Sequence, residues 1–467
     1  MIIPATPSSS SYCPFQTSMA SSSSSFSSKK GRLNWYDPFL FTISIIFAFI
    51  LFWTIYCFLI PNPNPNAFPI STTTIPHTTT TTTTKTKNNS TSTQTIIGPS
   101  FYDNPSISYT ITSKITNWDT QRKEWLLSNP TLSKPLFMLT GSQSSPCRNP
   151  VGDHLLLKFY KNKADYCRLH NIDLFYNTVL LHPLMVTYWA KIPLIRAAMI
   201  AHPEAEWFWW VDSDAAITDM DFSLPLHKYQ NHNNLIVHGW PHLVYEKRSW
   251  VSLNAGVFLI RNCQWSLDFM DAWASMGPQT PNYESWGKTL KAEFSDKLFS
   301  DSDDQSALVY LLLHEKRKWG DKIYLENEFY FEGYWLEIVG KFNKIEDKYL
   351  EIEMRSPELR KRKAEKVAVD ANAAVRERYL REMKMRFGRE GWRRPFITHF
   401  TGCQPCSGDH NKMYSGENCW EGMLRALHFA DDQVLKNYGF KHEKVVGNES
   451  ATAATVRPLP FGFPVTG

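Results

Sequence analysis

Three features of the sequence predict an α/β domain built on a mostly parallel sheet. Short apolar runs recur in order, "KPLFMLTGS", "NIDLFYN", "EWFWWVDSD", "NLIVHGW" and "AGVFLIRNC", and the longer helix-like stretches "DHLLLKFYKNKADYCRLH" and "YWAKIPLIRAAMIAHP" fall between the first three. The run from Trp207 to Val211 is apolar throughout, as in a strand buried on both faces. Strands alternating with helices of this length put helices on both faces of the sheet. Ligands then collect at the carboxyl ends of the strands.

The elements before this domain read differently. Residues 1–38 are Ser-rich and end in Lys29, Lys30 and Arg32; residues 39–60, "FLFTISIIFAFILFWTIYCFLI", carry no charge. That run is long enough to span a ~30 Å hydrocarbon layer as a helix. A cleaved signal peptide is the competing reading, but the run exceeds the usual ~7–15 residues and "PNPNPN", not a small-residue cleavage site, follows it. Basic residues on the N-terminal side, with none after the run until Lys85, orient the tail to the cytosol and the bulk to the lumen. Residues 61–115, rich in Pro, Asn and Thr, offer little to bury and are expected to form a disordered stem. Residues 116–445 are expected to form the folded domain and 446–467 a C-terminal tail. Asn88, Asn89 and Asn448 each begin a glycosylation sequon, used or unused.

Composition narrows the function. Six cysteines, Cys147, Cys167, Cys263, Cys403, Cys406 and Cys419, fall on the lumenal side, where disulfides are the default. The "CQPC" at Cys403 to Cys406 also admits a redox pair or half a zinc site, but zinc wants a second ligand pair at comparable spacing. The net charge of +5 over 467 residues is small. Much of the positive charge sits in "RSPELRKRKAEKVAVDANAAVRERYLREMKMRFGREGWRR", interleaved with acids at helical spacing, which predicts a solvated helix face rather than a nucleic-acid surface.

Chemistry concentrates in three places. Asp212 and Asp214 emerge where the aromatic strand stops. Two positions apart on an extended segment they point to one side, and an oxygen-rich pair suits a hard divalent cation, which in turn neutralises a diphosphate. A solvated Asp-Ser-Asp turn is the bland alternative. Asp303, Asp304 and Gln305 open the helical run "SALVYLLL", where an acid caps a helix and where two acids and an amide also suit sugar hydroxyls. His399 leaves a further apolar run, "RRPFITHF", and neutral imidazole is a metal ligand.

Together, "WFWWVDSDAAITDM", "SLNAGVFLIRNCQWSLDFMDAWASMGP", "DDQSALVYLLL", "GYWLEIV" and "PFITHFTGCQPCSG…CW…RALHFADDQVLKNYGF" resemble glycosyltransferase family 34 of plants, over roughly Trp118 to Phe440. That family contains xyloglucan 6-xylosyltransferases and galactomannan galactosyltransferases. The resemblance implies a GT-A-type domain with a Rossmann-like sheet, a single-pass type II Golgi topology with a lumenal catalytic domain, a UDP-sugar donor, Mn²⁺, and transfer with retention to a backbone 6-hydroxyl. It implies that Asp212, Asp214 and His399 hold the metal and that Gly141 and Ser142 lie against the nucleotide. It places Lys191, Asp303, Asp304 and Gln305 along the donor sugar and diphosphate, and Asn254 and Ala255 between acceptor and donor.

Two departures bear on the substrate. Glu332 in "YFEGYW" stands where the xylosyltransferases carry histidine beside the donor, and Gln404 in "GCQPC" stands where they carry lysine near the diphosphate. Lys191 or Lys412 would then supply charge at the leaving group. These departures and "SGDHNKMYSGENCW" favour UDP-galactose and a mannan or glucomannan acceptor over UDP-xylose and a glucan, with Glu332 as an acceptor for the extra sugar hydroxyl or simply a surface acid. No covalent nucleophile is assigned. Same-face attack is the expectation, and double displacement through Asp303 or Asp304 is the alternative. A non-catalytic partner in a Golgi polysaccharide synthase complex is the alternative of another class, and a homo- or hetero-oligomer is left open. The segment from about Ser356 to Glu390 has no functional reading.

Overall fold

The computed structural model describes residues 107–148, 150–229, 232–356, 359, 364–387, 394–443 and 455–459. The expected cytosolic tail, the anchor, most of the stem, and Asn88, Asn89 and Asn448 lie outside these residues, whereas part of the expected C-terminal tail lies within them. Among the described residues no helix is long and apolar enough to cross a membrane.

The strands are, in chain order, β1 (Lys134–Gly141), β2 (Asp173–Asn177), β3 (Ala205–Val211), β4 (Ala215–Ile217), β5 (Leu235–Gly239), β6 (Leu253–Arg261), β7 (Ile323–Glu326), β8 (Gly333–Tyr334) and β9 (Ile397–His399), and the five predicted runs are β1, β2, β3, β5 and β6. The main sheet runs β2-β1-β3-β6-β5-β7. β2, β1 and β3 are mutually parallel, as are β5 and β7, and β6 runs against both its neighbours. The sheet is therefore mixed and mostly parallel, as expected.

Both faces are covered. Alternate residues of β3 enter opposite cores: Phe208 and Trp210 on one side, Trp207, Trp209 and Val211 on the other. The first core takes helix α1 (Trp118–Ser128) at Trp118, α3 (Lys191–Ala201), α4 (Gln264–Ala274) and α5 (Asp304–His314). The second takes α2 (Pro150–His170) at Tyr166 and Leu169 and α8 (Gly416–Leu435) at Ala430 and Val434. The helix α6 (Phe342–Arg355) packs with the other ends of α2 and α8 in a third cluster. Full burial of each such aromatic is worth roughly 1.5–3 kcal/mol, so this one short strand anchors both cores.

A second, three-stranded sheet, β4-β9-β8, matters more for function. Ala215 pairs with His399 in the antiparallel β4–β9 ladder, and Tyr334 pairs with His399 in the parallel β8–β9 ladder. Three segments far apart in sequence thus meet at the rung that ends β3.

Three expectations are corrected. The folded domain starts inside the expected stem: Ile111 and Ile115 are buried in the first core, and the Arg196 guanidinium donates to the carbonyls of Ser108 and Ser113. The expected tail supplies β11 (Val456–Pro458), which pairs with β10 (Phe440–His442). The charged segment does make a helix, α7 (Glu365–Phe387), but it is not merely a solvated face. Val369 enters the second core, Arg168 pairs with Glu365, and Arg376 and Arg394 are buried against Asp219. The expected disulfides form: Cys147 pairs with Cys406 and Cys403 with Cys419, while Cys167, buried, and Cys263 remain thiols.

Candidate active site

Asp212, Asp214 and His399 converge at the carboxyl end of β3, each offering one ligand atom within 4.8 Å of the others. His399 Nε2 lies 3.2 Å from Asp214 Oδ1 and 3.9 Å from Asp212 Oδ2. The backbone fixes this. The Asp212 amide donates to the Gly256 carbonyl at 2.9 Å, and the Phe400 amide donates to the Asp214 carbonyl at 3.2 Å. The two carboxylates are partly exposed while the imidazole is buried, so the open side of the cluster faces out.

Gly256 makes room for the three. A Cβ there would stand 2.3 Å from His399 Cε1 and 2.6 Å from Asp212 Oδ2, closer than atoms can approach. An isolated glycine in the strand pattern "NAGVFLI" is the sequence signal for such a close approach, and it went unread. Two other supports had no signal in the sequence. Trp210 Nε1 donates to Asp212 Oδ1 at 2.6 Å. The buried Lys163 Nζ donates to the Ala215 carbonyl at 2.7 Å beneath the loop, and burial lowers its ammonium to about 7 although Asp214 and Asp212 lie near.

Lys191 joins the cluster to the second acidic group. It is buried, 3.4 Å from Asp212 Oδ1 and 2.7 Å from Asp304 Oδ2, and it donates to the Ala255 carbonyl at 2.9 Å. Burial works to lower the Lys191 ammonium, but Asp212 and Asp304 overcome it and hold it raised. Burial raises the Asp304 carboxyl to about 6 against the pull of Lys191. Gln305 completes this group, accepting from the Ala255 amide at 3.4 Å and donating to the Trp250 carbonyl at 3.1 Å. Asn254 Oδ1 accepts from the Gly256 amide at 2.7 Å, which turns its side chain toward the cluster.

Asp303 is committed to the fold. It caps α5 by accepting from the Ser306 amide at 2.9 Å, pairs with the buried Lys297 and accepts from Trp250 Nε1 at 3.3 Å. Gly141 ends β1 and Ser142 follows it; β1 pairs in parallel with β3 at Leu139↔Trp210, so both leave the same end of the sheet as Asp212. Gln404 is exposed and its bonds stay within its own loop, to Ser407, Gly408 and Asp409. Glu332 is not a surface acid: it is buried behind the imidazole, with Oε1 3.2 Å from His399 Nδ1.

The donor set fits a hard divalent cation: two carboxylate oxygens and one imidazole nitrogen, facing out, in a negative field. The same field acts on the proton. Burial works to lower His399, yet Asp214 and Glu332 raise it to about 10.

Comparison with known proteins agrees with this geometry. Residues 133–410 match the galactosyl transferase GMA12/MNN10 family. The chain is 56% identical over 370 residues to galactomannan galactosyltransferase 1 of Cyamopsis tetragonoloba, covering 78% of this chain and 81% of that one. It is 55% identical over 372 residues to glycosyltransferase 6 of Arabidopsis thaliana, covering 78% and 84%. It is 43% identical over 364 residues to probable xyloglucan 6-xylosyltransferase 3 of the same plant, covering 77% and 71%.

Proposed function

The chain belongs to the galactosyl transferase GMA12/MNN10 family, and from that premise we propose that it transfers galactose from UDP-galactose to the 6-hydroxyl of a mannan or glucomannan backbone, with retention. The cluster of Asp212, Asp214 and His399 carries the reading. In the GT-A-type site we propose, these residues hold Mn²⁺. When bound, the cation supplies Lewis-acid stabilisation of the departing diphosphate. Similarity to the galactomannan galactosyltransferase supports galactose and mannan.

The chain's own residues have the following roles. Lys191, fixed between Asp212, Asp304 and the Ala255 carbonyl, is a preorganised positive charge under the donor side of the cluster. Gln305 and Asn254 hold the backbone at Ala255 and Gly256, which keeps the wall opposite the carboxylates in place. Attack by the acceptor hydroxyl from the face that UDP leaves gives retention without a protein nucleophile. Two observations favour it over double displacement: Asp303 is a helix cap paired with Lys297, and Asp304 is paired with Lys191.

We place the domain in the Golgi lumen behind a single-pass anchor at 39–60. Its support is the apolar run itself and the Cys147–Cys406 and Cys403–Cys419 bridges, which suit an oxidising compartment.

The test is transfer by the purified protein with Mn²⁺, offering UDP-galactose and UDP-xylose against mannan and cello-oligosaccharides. Galactosylated mannan is the expected product. Xylosylated glucan would move the protein to the xylosyltransferase side of the family, and no transfer with any pair would favour the non-catalytic partner.

A further inference from the structure

Glu332 stands one residue before β8, where the Tyr334↔His399 rung brings it beside the imidazole. The strands are pinned there, because a Cβ on Gly333 would lie 2.7 Å from the Ile397 carbonyl oxygen. The carboxylate is only 5% exposed, and its Oε1 lies 3.2 Å from His399 Nδ1, a nitrogen that makes no well-aligned hydrogen bond. The opposite nitrogen, Nε2, faces Asp214 and Asp212. We infer that Glu332 is a positioning residue for the metal: its carboxylate accepts the Nδ1 proton of His399 and so presents the Nε2 lone pair to the cation held with Asp212 and Asp214. This rests on the metal reading above and goes beyond it by giving Glu332 a role toward His399 instead of the sugar.

A carboxylate behind a ligating imidazole fixes the tautomer and the ring orientation and makes the ligand more basic. Among the described residues no lysine or arginine pairs with Glu332, and a buried acid without a partner is costly to keep. The order of contacts is then carboxylate, imidazole, cation, with Gly256 leaving the space that the ring needs.

The experiment measures Mn²⁺ affinity directly, from the electron paramagnetic resonance signal of free Mn²⁺, with UDP present, for wild type, Glu332→Gln, Glu332→Ala and Asp214→Ala. Glu332→Ala is expected to weaken Mn²⁺ about 10–100-fold. Glu332→Gln, whose amide oxygen still accepts from Nδ1–H, is expected to weaken it less, and this partial rescue distinguishes positioning from bulk packing. If the alanine variant fails to fold, the glutamine variant and its recovery of transfer at raised Mn²⁺ carry the test. Wild-type Mn²⁺ affinity in both Glu332 variants, combined with Mn²⁺ loss in Asp214→Ala, overturns the proposal alone. The same result with a selective loss of UDP-galactose over UDP-xylose returns Glu332 to the sugar. Wild-type affinity in Asp214→Ala overturns the metal reading itself.

Discussion

Two Asp-x-Asp pairs occupy one stretch of this chain, "DSD" at Asp212 and Asp214 and "DMD" at Asp219 and Asp221, and the fold treats them in opposite ways. The first pair is partly exposed and faces an imidazole and a single lysine that Asp304 shares. The second is buried. Arg394 forks onto Asp219, Arg376 Nη1 lies 3.2 Å from Asp219 and 2.9 Å from Asp221, and the Tyr349 hydroxyl donates to Asp219 at 2.8 Å. Spacing does not separate the pairs, and neither lies on the extended segment that the spacing suggests: the first forms the turn between β3 and β4, and the second follows β4. What decides their use is the company that tertiary structure brings: guanidinium groups satisfy the second pair and consolidate the core, whereas the first keeps an unsatisfied negative field for a ligand.

The contrast is sharpest in a pair of substitutions. Asp214→Ala should leave the melting temperature nearly unchanged and lower transfer by at least roughly 10³-fold, because a bound cation supplies several kcal/mol and each 1.36 kcal/mol is tenfold. Asp219→Ala should do the reverse. Removing one partner of a buried ion cluster leaves Arg394 and Arg376 uncompensated and costs about 3–5 kcal/mol, read as a lower melting temperature, while the fraction that stays folded transfers at nearly the wild-type rate. Similar losses of activity per folded molecule in both variants would erase the distinction.

Gly256→Ala gives a smaller effect confined to the first pair. Its Cβ meets the His399 ring and the Asp212 carboxylate, so transfer should fall about 10–100-fold, as for a disturbed metal shell, with an overpacking cost of about 1–3 kcal/mol in melting. Unchanged Mn²⁺ affinity would mean that the ring and carboxylate relax around the methyl group.

The smallest effect is the acid titration of Asp219. Burial works to raise Asp219, but Arg394 and Arg376 hold it at about 2, below its ordinary 3.8. A folded value below the unfolded one contributes stability that is present above 3.8 and is lost as pH falls through about 2. Denaturation midpoints of wild type should therefore decline over that window more steeply than those of Asp219→Ala.

Sequence made much of this legible, for reasons that differ by region. β3 announced itself because a strand buried on both faces has no polar position, and Asp212 and Asp214 stood out because they end it. Asp304 and Gln305 were found as helix-opening polar residues, though their engagement with Lys191 and Ala255 was not. Glu332 was noticed as a departure but placed beside a sugar, because no local pattern shows that β8 lies against β9. Asp219 and Asp221 passed unread. Their partners Arg376 and Arg394 sit in a segment whose mixed charge at helical spacing reads as solvated, and only long-range packing of α7 reverses that reading.

The ladder that brings Ala215 to His399 also sets a schedule for synthesis. Asp214 and His399 are 185 positions apart, and the Cys147–Cys406 bridge closes across 259. Chains grow at about 5–20 residues per second, so the ribosome delivers the two carboxylates roughly ten to forty seconds before their imidazole. During that interval β4 has neither β9 beside it nor Arg394 near Asp219, and neither acidic pair has its full set of partners. The nascent domain therefore passes through a stage with its first strands complete and its metal cluster unmade, when unpaired edges and acids are accessible to chaperones. On the metal reading proposed above, ion capture would then belong to the closing moments of biogenesis.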